Sequence, residues 1–262
     1  MAEPLKVVIT DFITDSLEPE RQVLGTLAQV TALDARSEED LWGWVDDADA
    51  MIVYHCMSIG RATLDRLRRC RLIVRGGVGV DNVDHGYART RGIAVVNVPD
   101  YGSEEVADSA IGMMLSLTRG ISFLNSRLRD GAGQWGPSHV KPLFRLRGRR
   151  LGIVGLGRIG TATALRAKAL GLEVIFYDPY KPDGYDKALG IRRSETLPEL
   201  LEQVQILSLH CPLTEQTHHL IDARALERMP MGSYLINTAR GAVVDRAVIP
   251  HAIESGRLAG AA

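Results

Sequence analysis

The stretch that decides the fold lies between positions 151 and 178; it opens Leu151-Gly-Ile-Val-Gly-Leu-Gly-Arg-Ile-Gly160 and closes Val174-Ile-Phe-Tyr-Asp178. A short apolar run meets the pattern Gly155-x-Gly157-x-x-Gly160, and a helical stretch rich in small residues follows. A second apolar run then ends on an acid. This order of strand, glycine turn, helix and strand predicts a βαβ unit with a dinucleotide site at the turn.

Each glycine of the pattern has a mechanical role in such a site. Gly155 permits the tight strand-to-helix turn, Gly157 lets a pyrophosphate approach the backbone, and Gly160 lets the helix lie close to the strand. The helix N-terminus offers unpaired N–H groups and the positive end of its dipole. Glycines also mark ordinary turns, which is the alternative interpretation, but the flanking strand, helix and acid favour a cofactor site.

The acid at the end of the second apolar run indicates which dinucleotide is bound. Asp178 lies 18 residues after Gly160, where a carboxylate accepts hydrogen bonds from ribose hydroxyls and repels a 2′-phosphate. The sequence therefore favours NAD over NADP. Arg158, inside the fingerprint, either lines the phosphate side or is a solvated arginine of the first helical turn.

Composition bounds the class of protein. The chain has 262 residues, 45% of them hydrophobic and 24% charged, which predicts a globular protein of about two domains. A net charge of −1 provides no positive electrostatic potential that would attract nucleic acid or an anionic membrane. No apolar run approaches the ~20 residues of a membrane span, and the N-terminus has no signal-peptide pattern.

The three cysteines (Cys56, Cys70 and Cys211) have neither metal-ligand nor redox spacing. They are typical of reduced thiols in the cytosol. We therefore expect a cytoplasmic protein without a metal site.

Short apolar runs alternate with helical segments along the whole chain, which predicts an α/β fold with parallel sheets. The stretch Pro99-Asp-Tyr-Gly102 interrupts the alternation. We place the domain boundary there, with one domain at 1–99 and a second at 100–262.

Several local signals predict where helices begin. Ser37, followed by three acids, is expected to cap a helix, as is Ser103, whose helix is expected to extend to about Leu128. Thr196-Leu-Pro-Glu199 is a capping box, and Asp222 is a further cap.

Two expectations concern the end of the chain. Asp245 is expected to cap a last helix, in which Pro250 would remove one backbone bond and cause a bend. Residues 257–262 are expected to open a further strand.

Further stretches resemble the family of D-isomer-specific 2-hydroxyacid dehydrogenases, and most closely its D-3-phosphoglycerate dehydrogenase and C-terminal-binding protein (CtBP) branches. They cover nearly the whole chain from about residue 50 onward: Val74-Arg-Gly-Gly-Val-Gly-Val-Asp-Asn82, Gly92-Ile-Ala-Val-Val-Asn-Val-Pro99, Val106-Ala-Asp-Ser109, the fingerprint at 155–160, Phe176-Tyr-Asp-Pro-Tyr180, His210-Cys-Pro-Leu213 and Leu235-Ile-Asn-Thr-Ala-Arg-Gly241.

The resemblance implies flavodoxin-like and Rossmann-like domains, a substrate-binding one at 1–99 and an NAD-binding one at 100–262, with the active site in the cleft between them. It also implies NADH-dependent reduction of a 2-keto acid to the D-2-hydroxy acid. Arg240 is similar to the family's catalytic arginine, whose planar guanidinium grips carboxylate and keto oxygens. The residues similar to those that face the substrate are His55, Arg75, Gly77, Val78 and Gly79. Those similar to the cofactor-binding set are Val106, Gly155, Gly157, Arg158, Ile159, Gly160, Asp178, His210, Cys211, Pro212, Thr217, Thr238, Ala239 and Arg240.

For several of these positions, a purely structural role is the alternative interpretation. A surface cap is the alternative for Arg240, a simple strand-end turn is the alternative for 77–79, and a cleft-wall histidine is the alternative for His55.

One part of the family pattern is not matched. The family has an aspartate and a glutamate after its Gly-Ala-Ala strand and a histidine on a later strand; that histidine protonates the developing alkoxide. The sequence ends at Ala262, before both, and none of His210, His218, His219 and His251 matches the context of that histidine. We therefore expect a fragment of a chain of roughly 310–350 residues, with an incomplete second domain and no activity of its own.

Three functions compete at this point. The first is the dehydrogenase. The second is an NAD(H)-responsive dimeric binding protein of the CtBP type, in which catalysis is secondary. The third is another Rossmann enzyme, such as a methyltransferase or a homocysteine-nucleoside hydrolase, which the stretches 75–82 and 237–241 argue against.

The resemblance also extends to assembly. Residues 121–148 resemble the family's dimerisation arm and predict a homodimer. Within this arm, Trp135 packs either against the partner subunit or locally.

Overall fold

The chain forms two compact units in the computed structural model, which describes residues 3–133, 136–140 and 143–262. The first unit is Met1–Tyr101 and the second unit is Gly102–Ala262. Each unit is built on its own sheet of strands that pair in parallel. The predicted α/β class with parallel sheets is confirmed.

The first unit has a five-stranded sheet in the order β2-β1-β3-β4-β5. Its elements in chain order are β1 (Leu5–Ile9), α1 (Glu18–Leu24), β2 (Ala28–Ala32), β3 (Ala50–Val53), α2 (Arg61–Arg66), β4 (Leu72–Arg75), α3 (His85–Thr90) and β5 (Ala94–Asn97). The buried side chains of its central strands, such as Val8, Met51 and Ile73, pack into one core with Leu64 of α2. This sheet therefore holds the carboxyl ends of β1, β3 and β4 in fixed positions next to one another.

The second unit has a six-stranded sheet in the order β11-β10-β9-β6-β7-β8. Its elements are α4 (Ser103–Arg119), α5 (Ile121–Arg129), β6 (Arg150–Val154), α6 (Arg158–Ala169), β7 (Glu173–Tyr177), α7 (Tyr185–Leu189), β8 (Arg192–Arg193), α8 (Leu197–Gln203), β9 (Ile206–Leu209), α9 (Ala223–Arg228), β10 (Ser233–Asn237), α10 (Ile249–Glu254) and β11 (Leu258–Ala261). The chain runs from β6 to β7 on one side and returns to β9 on the other, so the strand order reverses beside β6. Ligands of open parallel sheets bind at such a reversal, outside the carboxyl ends of the strands.

The sheet of the second unit has a core on each face. Leu207 and Leu235 belong to a cluster that includes residues of α8, α9 and α10. Ile153 and Phe176 belong to the other cluster, which includes small residues of α6 and Met114 of α4. Burial on both faces explains why these strands are nearly continuous aliphatic runs.

The helix predicted after Ser37 does not form. The segment makes a short 3₁₀ turn at Glu39–Leu41, and Trp42 is already extended. The carboxylate of Asp40 accepts hydrogen bonds from the backbone N–H groups of Arg36 and Ser37, at 3.0 Å each. Asp40 therefore accepts from backbone on its N-terminal side, and bonds of this kind compete with helix formation. The pattern after Ser37 was wrongly interpreted as the start of a helix.

The helix predicted from Ser103 to about Leu128 is two helices. Gly102, not Ser103, is the cap of α4. Gly120 adopts a left-handed conformation (φ 67°) between α4 and α5. A Cβ at Gly120 would lie 2.3 Å from a methyl carbon of Val140. Gly120 therefore ends α4 as a left-handed cap and also leaves room for Val140, whereas the apolar periodicity continues through both helices.

The expectation that Pro250 lies inside the helix capped by Asp245 is also wrong. Asp245 accepts a hydrogen bond from Ala247 N–H, but it caps a 3₁₀ turn, Arg246–Val248. Pro250 then lies in the first turn of α10, where no N–H is needed. The strand expected at 257–262 forms as β11, whereas β2, α3, α7 and β8 were not predicted.

Trp135 lies outside the described residues, so its packing stays a prediction. Among the residues described, no helix is both long and apolar enough to cross a bilayer.

Candidate functional site

The glycine turn after β6 is fixed by contacts with backbone. Gly155 has φ 87°, and a Cβ there would lie 2.7 Å from the backbone nitrogen of Cys211. A Cβ at Gly160 would lie 2.2 Å from the carbonyl oxygen of Gly155. Both positions therefore require glycine for the fold itself, because real Cβ atoms do not approach backbone so closely.

Gly157 differs from its two neighbours in the pattern. It is exposed, it directly precedes α6, and a Cβ at this position would meet no atom within 4 Å. Packing within the chain does not require glycine here. Open space over bare backbone at the start of a 12-residue helix is what an approaching phosphate needs. Arg158 and Ile159 begin this helix, with Arg158 exposed and Ile159 half-buried.

Asp178 ties the end of β7 to the glycine turn. Its side chain is buried, with one carboxylate oxygen accepting from Leu156 N–H (2.8 Å) and the other from Tyr180 N–H (2.9 Å). Each carboxylate oxygen has two acceptor sites, so both keep capacity for another donor. Asp178 therefore has a structural role that the sequence did not reveal, and it retains acceptor capacity for ribose hydroxyls.

The loop after β9 packs against the same turn. His210 Nε2 lies 2.9 Å from the hydroxyl of Ser208, and Nδ1 lies 3.5 Å from that of Thr238. Burial lowers the pKa of His210 to about 4 and raises the pKa of the Cys211 thiol to about 11. Both side chains are therefore neutral at physiological pH. Further along the loop, the Thr217 hydroxyl donates to the carbonyl of Pro212 (2.6 Å).

The loop after β10 presents Thr238, Ala239 and Arg240, all half-buried. Asn237 shapes it: its side-chain oxygen accepts from Ala239 N–H (3.0 Å) and its amide donates to the carbonyl of Arg240 (2.9 Å). Arg240 also donates to the carbonyl of Ala239 (3.0 Å). Asn237 thus fixes the backbone that carries Arg240, a role that was missed in the sequence.

In the first unit, Arg75 ends β4 and is 6% exposed. Its Nη2 lies 3.4 Å from Nδ1 of His55, and its buried Nε has no hydrogen-bond partner. A Cβ on Gly77 would lie 1.4 Å from Nη1, so the guanidinium covers this glycine. Within the part of the chain that the structure describes, no carboxylate lies within ion-pair distance of Arg75.

The turn that follows β4 has its carbonyl groups occupied and its amides open. The carbonyl of Gly77 accepts from Val98 N–H (3.1 Å), and that of Val78 accepts from the Asn97 amide (2.7 Å). The N–H groups of Val78 and Gly79 have no acceptor among the described residues. Open amides beside a buried cation form a site for an anion.

The predicted residues thus form two groups, one in each unit. The fingerprint glycines, Asp178, the 210–217 loop and Thr238 are joined by the contacts above, and Arg240 lies on the same loop as Thr238. His55, Arg75 and the 77–79 turn form the group of the first unit. Val106 lies half-buried in α4.

Neither a metal centre nor the cavity of the first unit coincides with these groups among the described residues. No cluster of metal-ligating side chains occurs within the described ranges. A cavity of about 450 Å³ in the first unit is lined by Ile13–Leu17, Arg21 and Ala32–Asp34, none of which is a predicted site residue.

Comparison with known proteins decides the family. A family model described as "D-isomer specific 2-hydroxyacid dehydrogenase, NAD binding domain" matches residues 111–262. The chain belongs to the D-isomer specific 2-hydroxyacid dehydrogenase family. The predicted family and its NAD-binding domain are confirmed, and the fingerprint, Asp178 and Arg240 all lie inside the matched region.

Relatives in this family resemble the chain over nearly its whole length. D-3-phosphoglycerate dehydrogenase of Methanocaldococcus jannaschii is 33% identical over 258 residues, covering 98% of this chain and 48% of the relative. C-terminal-binding protein 1 of Caenorhabditis elegans is 35% identical over 249 residues, covering 93% of this chain and 34% of the relative. The chain therefore spans half or less of the length of these two relatives.

A solved structure shows the same fold. D-lactate dehydrogenase of Aquifex aeolicus, complexed with NAD and lactic acid, matches with a TM-score of 0.87 at 29% identity. The match covers 97% of this chain and 75% of that one. The fold found in the two units is therefore the fold of this family.

Proposed function

We propose that this protein is an NAD-dependent oxidoreductase that interconverts a 2-keto acid and a D-2-hydroxy acid by hydride transfer. In this proposal the first domain (1–99) binds the substrate and the second (100–262) binds the cofactor. The observation that carries it is the buried, unpaired cation of Arg75 beside the open amides of Val78 and Gly79. An NAD-binding domain is compatible with many reactions, whereas an anion site in the first unit selects an acid as the substrate.

The cofactor fits the second unit. Bare backbone at Gly157 and the N–H groups that begin α6 would bind the pyrophosphate, and the free acceptor sites of Asp178 would bind the adenosine ribose. NAD supplies a hydride acceptor or donor at its nicotinamide. The nicotinamide side of the site would be lined by Thr238, Ala239 and the loop 210–217, with Val106 closing over the cofactor.

The substrate is held through its negative charge. The amides of the 77–79 turn and the Arg75 guanidinium would bind the carboxylate, with His55 beside them. Arg240 would bind carboxylate and keto oxygen together and so fix the carbon that takes the hydride. His210 is not the proton donor, because a pKa of about 4 leaves it unprotonated at neutral pH.

Arg240→Ala is the decisive variant, with Arg240→Lys beside it. In the full-length gene product, NADH oxidation with a panel of 2-keto acids should be abolished by Arg240→Ala, with NADH affinity nearly unchanged. Arg240→Lys should keep weak turnover because it retains the charge but loses the bidentate fork. Equal loss of NADH affinity and turnover would mean that Arg240 is structural.

The same assay separates a dehydrogenase from the CtBP-type binding protein. Tight NADH binding with no turnover of any 2-keto acid would favour the binding protein. We also propose that residues 1–262 by themselves bind cofactor without turnover, since they contain no match to the family's glutamate–histidine pair.

The preference for NAD is proposed to come from Asp178. In this proposal its carboxylate would repel a 2′-phosphate on the adenosine ribose, and that repulsion would exclude NADP. Asp178→Ala should therefore narrow the ratio of NAD to NADP affinities. An unchanged ratio in a titration of both cofactors would leave Asp178 with its structural role alone.

We propose a homodimer formed through the arm at 121–148. Its helix α5 carries exposed Ile121, Phe123 and Leu128 and has no buried residue. Phe123→Asp should convert a dimer to a monomer in analytical ultracentrifugation, whereas Val23→Asp, at an exposed apolar position in the first unit, should not. A wild-type monomer at all concentrations would contradict the proposal.

A cytoplasmic location is proposed on the state of the cysteines. All three are free thiols, one of them exposed, and exposed free thiols are typical of reducing compartments. Cell fractionation would test it.

A further inference from the structure

The residue that follows β1 by three positions has an unusual backbone. Phe12 has φ 74°, in the left-handed region that bulky side chains avoid. Its ring is nevertheless 55% exposed, so no burial of the ring compensates for this conformation. Backbone strain of this kind clusters at functional sites, where the surrounding structure imposes it.

The exposed ring belongs to a continuous group that ends on Arg75. The Phe12 ring meets the His55 ring edge-on at 4.8 Å between centroids and the Tyr54 ring at 5.4 Å. His55 in turn contacts Arg75, and a Cβ on Gly76 would lie 2.7 Å from the Tyr54 ring. An apolar aromatic surface therefore stands next to the proposed anion site.

Asp11 holds this group in place. It is fully buried, and its carboxylate accepts from the N–H groups of Tyr54 (2.8 Å) and Cys56 (2.7 Å), the residues on either side of His55. The Thr10 hydroxyl adds a third bond at 2.6 Å. The backbone around His55 is thus fixed before any ligand arrives, which reduces the entropy lost on binding.

We propose that Phe12 is a specificity-determining residue and that the substrates are 2-keto acids with an apolar, preferably aromatic, side chain. This inference rests on the proposed function, in which the Arg75 site binds the carboxylate. The side chain of the substrate then packs on the Phe12 ring. A substrate with a second anionic group, such as a phosphate, places that group against an aromatic face with Arg75 already engaged.

Equilibrium binding tests the proposal without requiring turnover. Calorimetry on the full-length gene product saturated with NAD⁺, where no hydride is available to a keto acid, gives the Kd of phenylpyruvate, pyruvate and 3-phosphohydroxypyruvate. Phenylpyruvate should bind roughly tenfold more tightly than pyruvate, the factor expected of an aromatic contact, and 3-phosphohydroxypyruvate should bind no better than pyruvate.

Two substitutions of Phe12 separate specificity from folding. Phe12→Ala and Phe12→Gly should both bring the ratio of the two Kd values close to one, with the Kd of pyruvate changed less than about twofold. Phe12→Gly should also unfold at the same or a higher temperature than the wild type, because glycine adopts positive φ freely. Trp44→Ala is the matched control, since Trp44 is 54% exposed in the same unit, and it should leave the ratio unchanged.

The possible failures are distinct. Equal weakening of pyruvate and phenylpyruvate in Phe12→Ala overturns the specificity role, as does tightest binding of 3-phosphohydroxypyruvate to the wild type. If the wild type binds none of the three acids while NAD⁺ still binds, both this inference and the proposed substrate class are overturned. If Arg75→Gln abolishes binding of all three acids and Phe12→Ala changes nothing, the proposed function stands and the role of Phe12 does not.

Discussion

The glycine turns after β4 and after β6 each follow the carboxyl end of a parallel strand, and they have opposite electrostatics. The turn after β6 is backed by the carboxylate of Asp178, whose two oxygens are both occupied by backbone N–H groups. The turn after β4 is covered by the guanidinium of Arg75, whose Nε has no acceptor. One buried charge is compensated by the chain and the other is not.

This difference indicates what each turn does. A compensated acid stabilises its turn without a ligand, and the open space at Gly157 then admits a phosphate. An uncompensated buried cation costs free energy until an anion arrives. Glycine turns at the ends of parallel strands therefore form a site that is complete before binding in one unit and a site that its ligand completes in the other.

The largest expected effect contrasts the same substitution in the two turns. In Gly160→Ala the new Cβ meets backbone, which cannot move away, and we expect a loss of about 3 kcal/mol in the free energy of unfolding. In Gly77→Ala it meets the end of the Arg75 side chain, so the guanidinium shifts at a cost of about 1 kcal/mol. Urea denaturation gives both values, and NADH affinity should survive in Gly77→Ala. Equal losses of unfolding free energy in the two variants would mean that the Arg75 guanidinium cannot move away from the new Cβ.

A second prediction uses pH to separate the turns. Burial lowers the pKa of His210, near the turn after β6, from 6.5 to about 4. Because the unfolded chain takes up this proton first, the stabilisation is complete above pH 6.5 and is lost as the pH falls toward 4. Between pH 7.5 and pH 5 the wild type should lose about 2 kcal/mol more than His210→Gln. If urea titrations at the two pH values show equal losses of unfolding free energy in the wild type and in His210→Gln, then His210 is in contact with water.

A third prediction concerns two substitutions that should change the free energy of unfolding in opposite directions. Asp178→Asn turns an NH₂ group toward one of two N–H donors and should lower the free energy of unfolding by about 1–2 kcal/mol. Arg75→Met removes a buried unpaired charge and should raise it by about 1 kcal/mol, while abolishing acid binding. Thermal unfolding of the two variants tests this; a decrease in both would show that the charge of Arg75 is compensated.

The smallest effect concerns the link between the loops after β7 and β9. The Tyr180 hydroxyl donates to Gln216 at 3.0 Å, and the tyrosine is 80% exposed. Tyr180→Phe should change the free energy of unfolding by no more than about 0.5 kcal/mol, as expected of a surface position. NADH affinity should change less than about threefold. A larger loss of affinity alone would mean that this link closes over the bound cofactor.

Local signals predicted much of the second unit. Apolar runs predict strands at 151–155, 173–178, 205–210 and 233–238, each within two residues of β6, β7, β9 and β10, because each is an aliphatic run bounded by turn residues. Thr196 and Asp222 cap helices as predicted, accepting from Glu199 and Ala225 N–H respectively. In each cap the N–H donor lies three residues after the side-chain acceptor, so both partners can be recognised in the local sequence.

Signals whose partners are distant in sequence misled or were missed. The space beside Gly120 is filled by Val140, and the strain at Phe12 becomes meaningful only beside Tyr54 and His55. An acid directly after a buried strand, such as Asp11, is a signal that was available and not used.

The sequence by itself determined the family, the parallel α/β class and the dinucleotide turn, because these depend on residue types at short, fixed spacings. The tertiary structure alone decided which charges are compensated: that Asp178 is bound by Leu156 and Tyr180, and that Arg75 lies buried without an acid. Compensation is a property of distances between residues far apart in the chain, and the Coulomb energy that separates a structural charge from a binding charge depends on those distances and on burial.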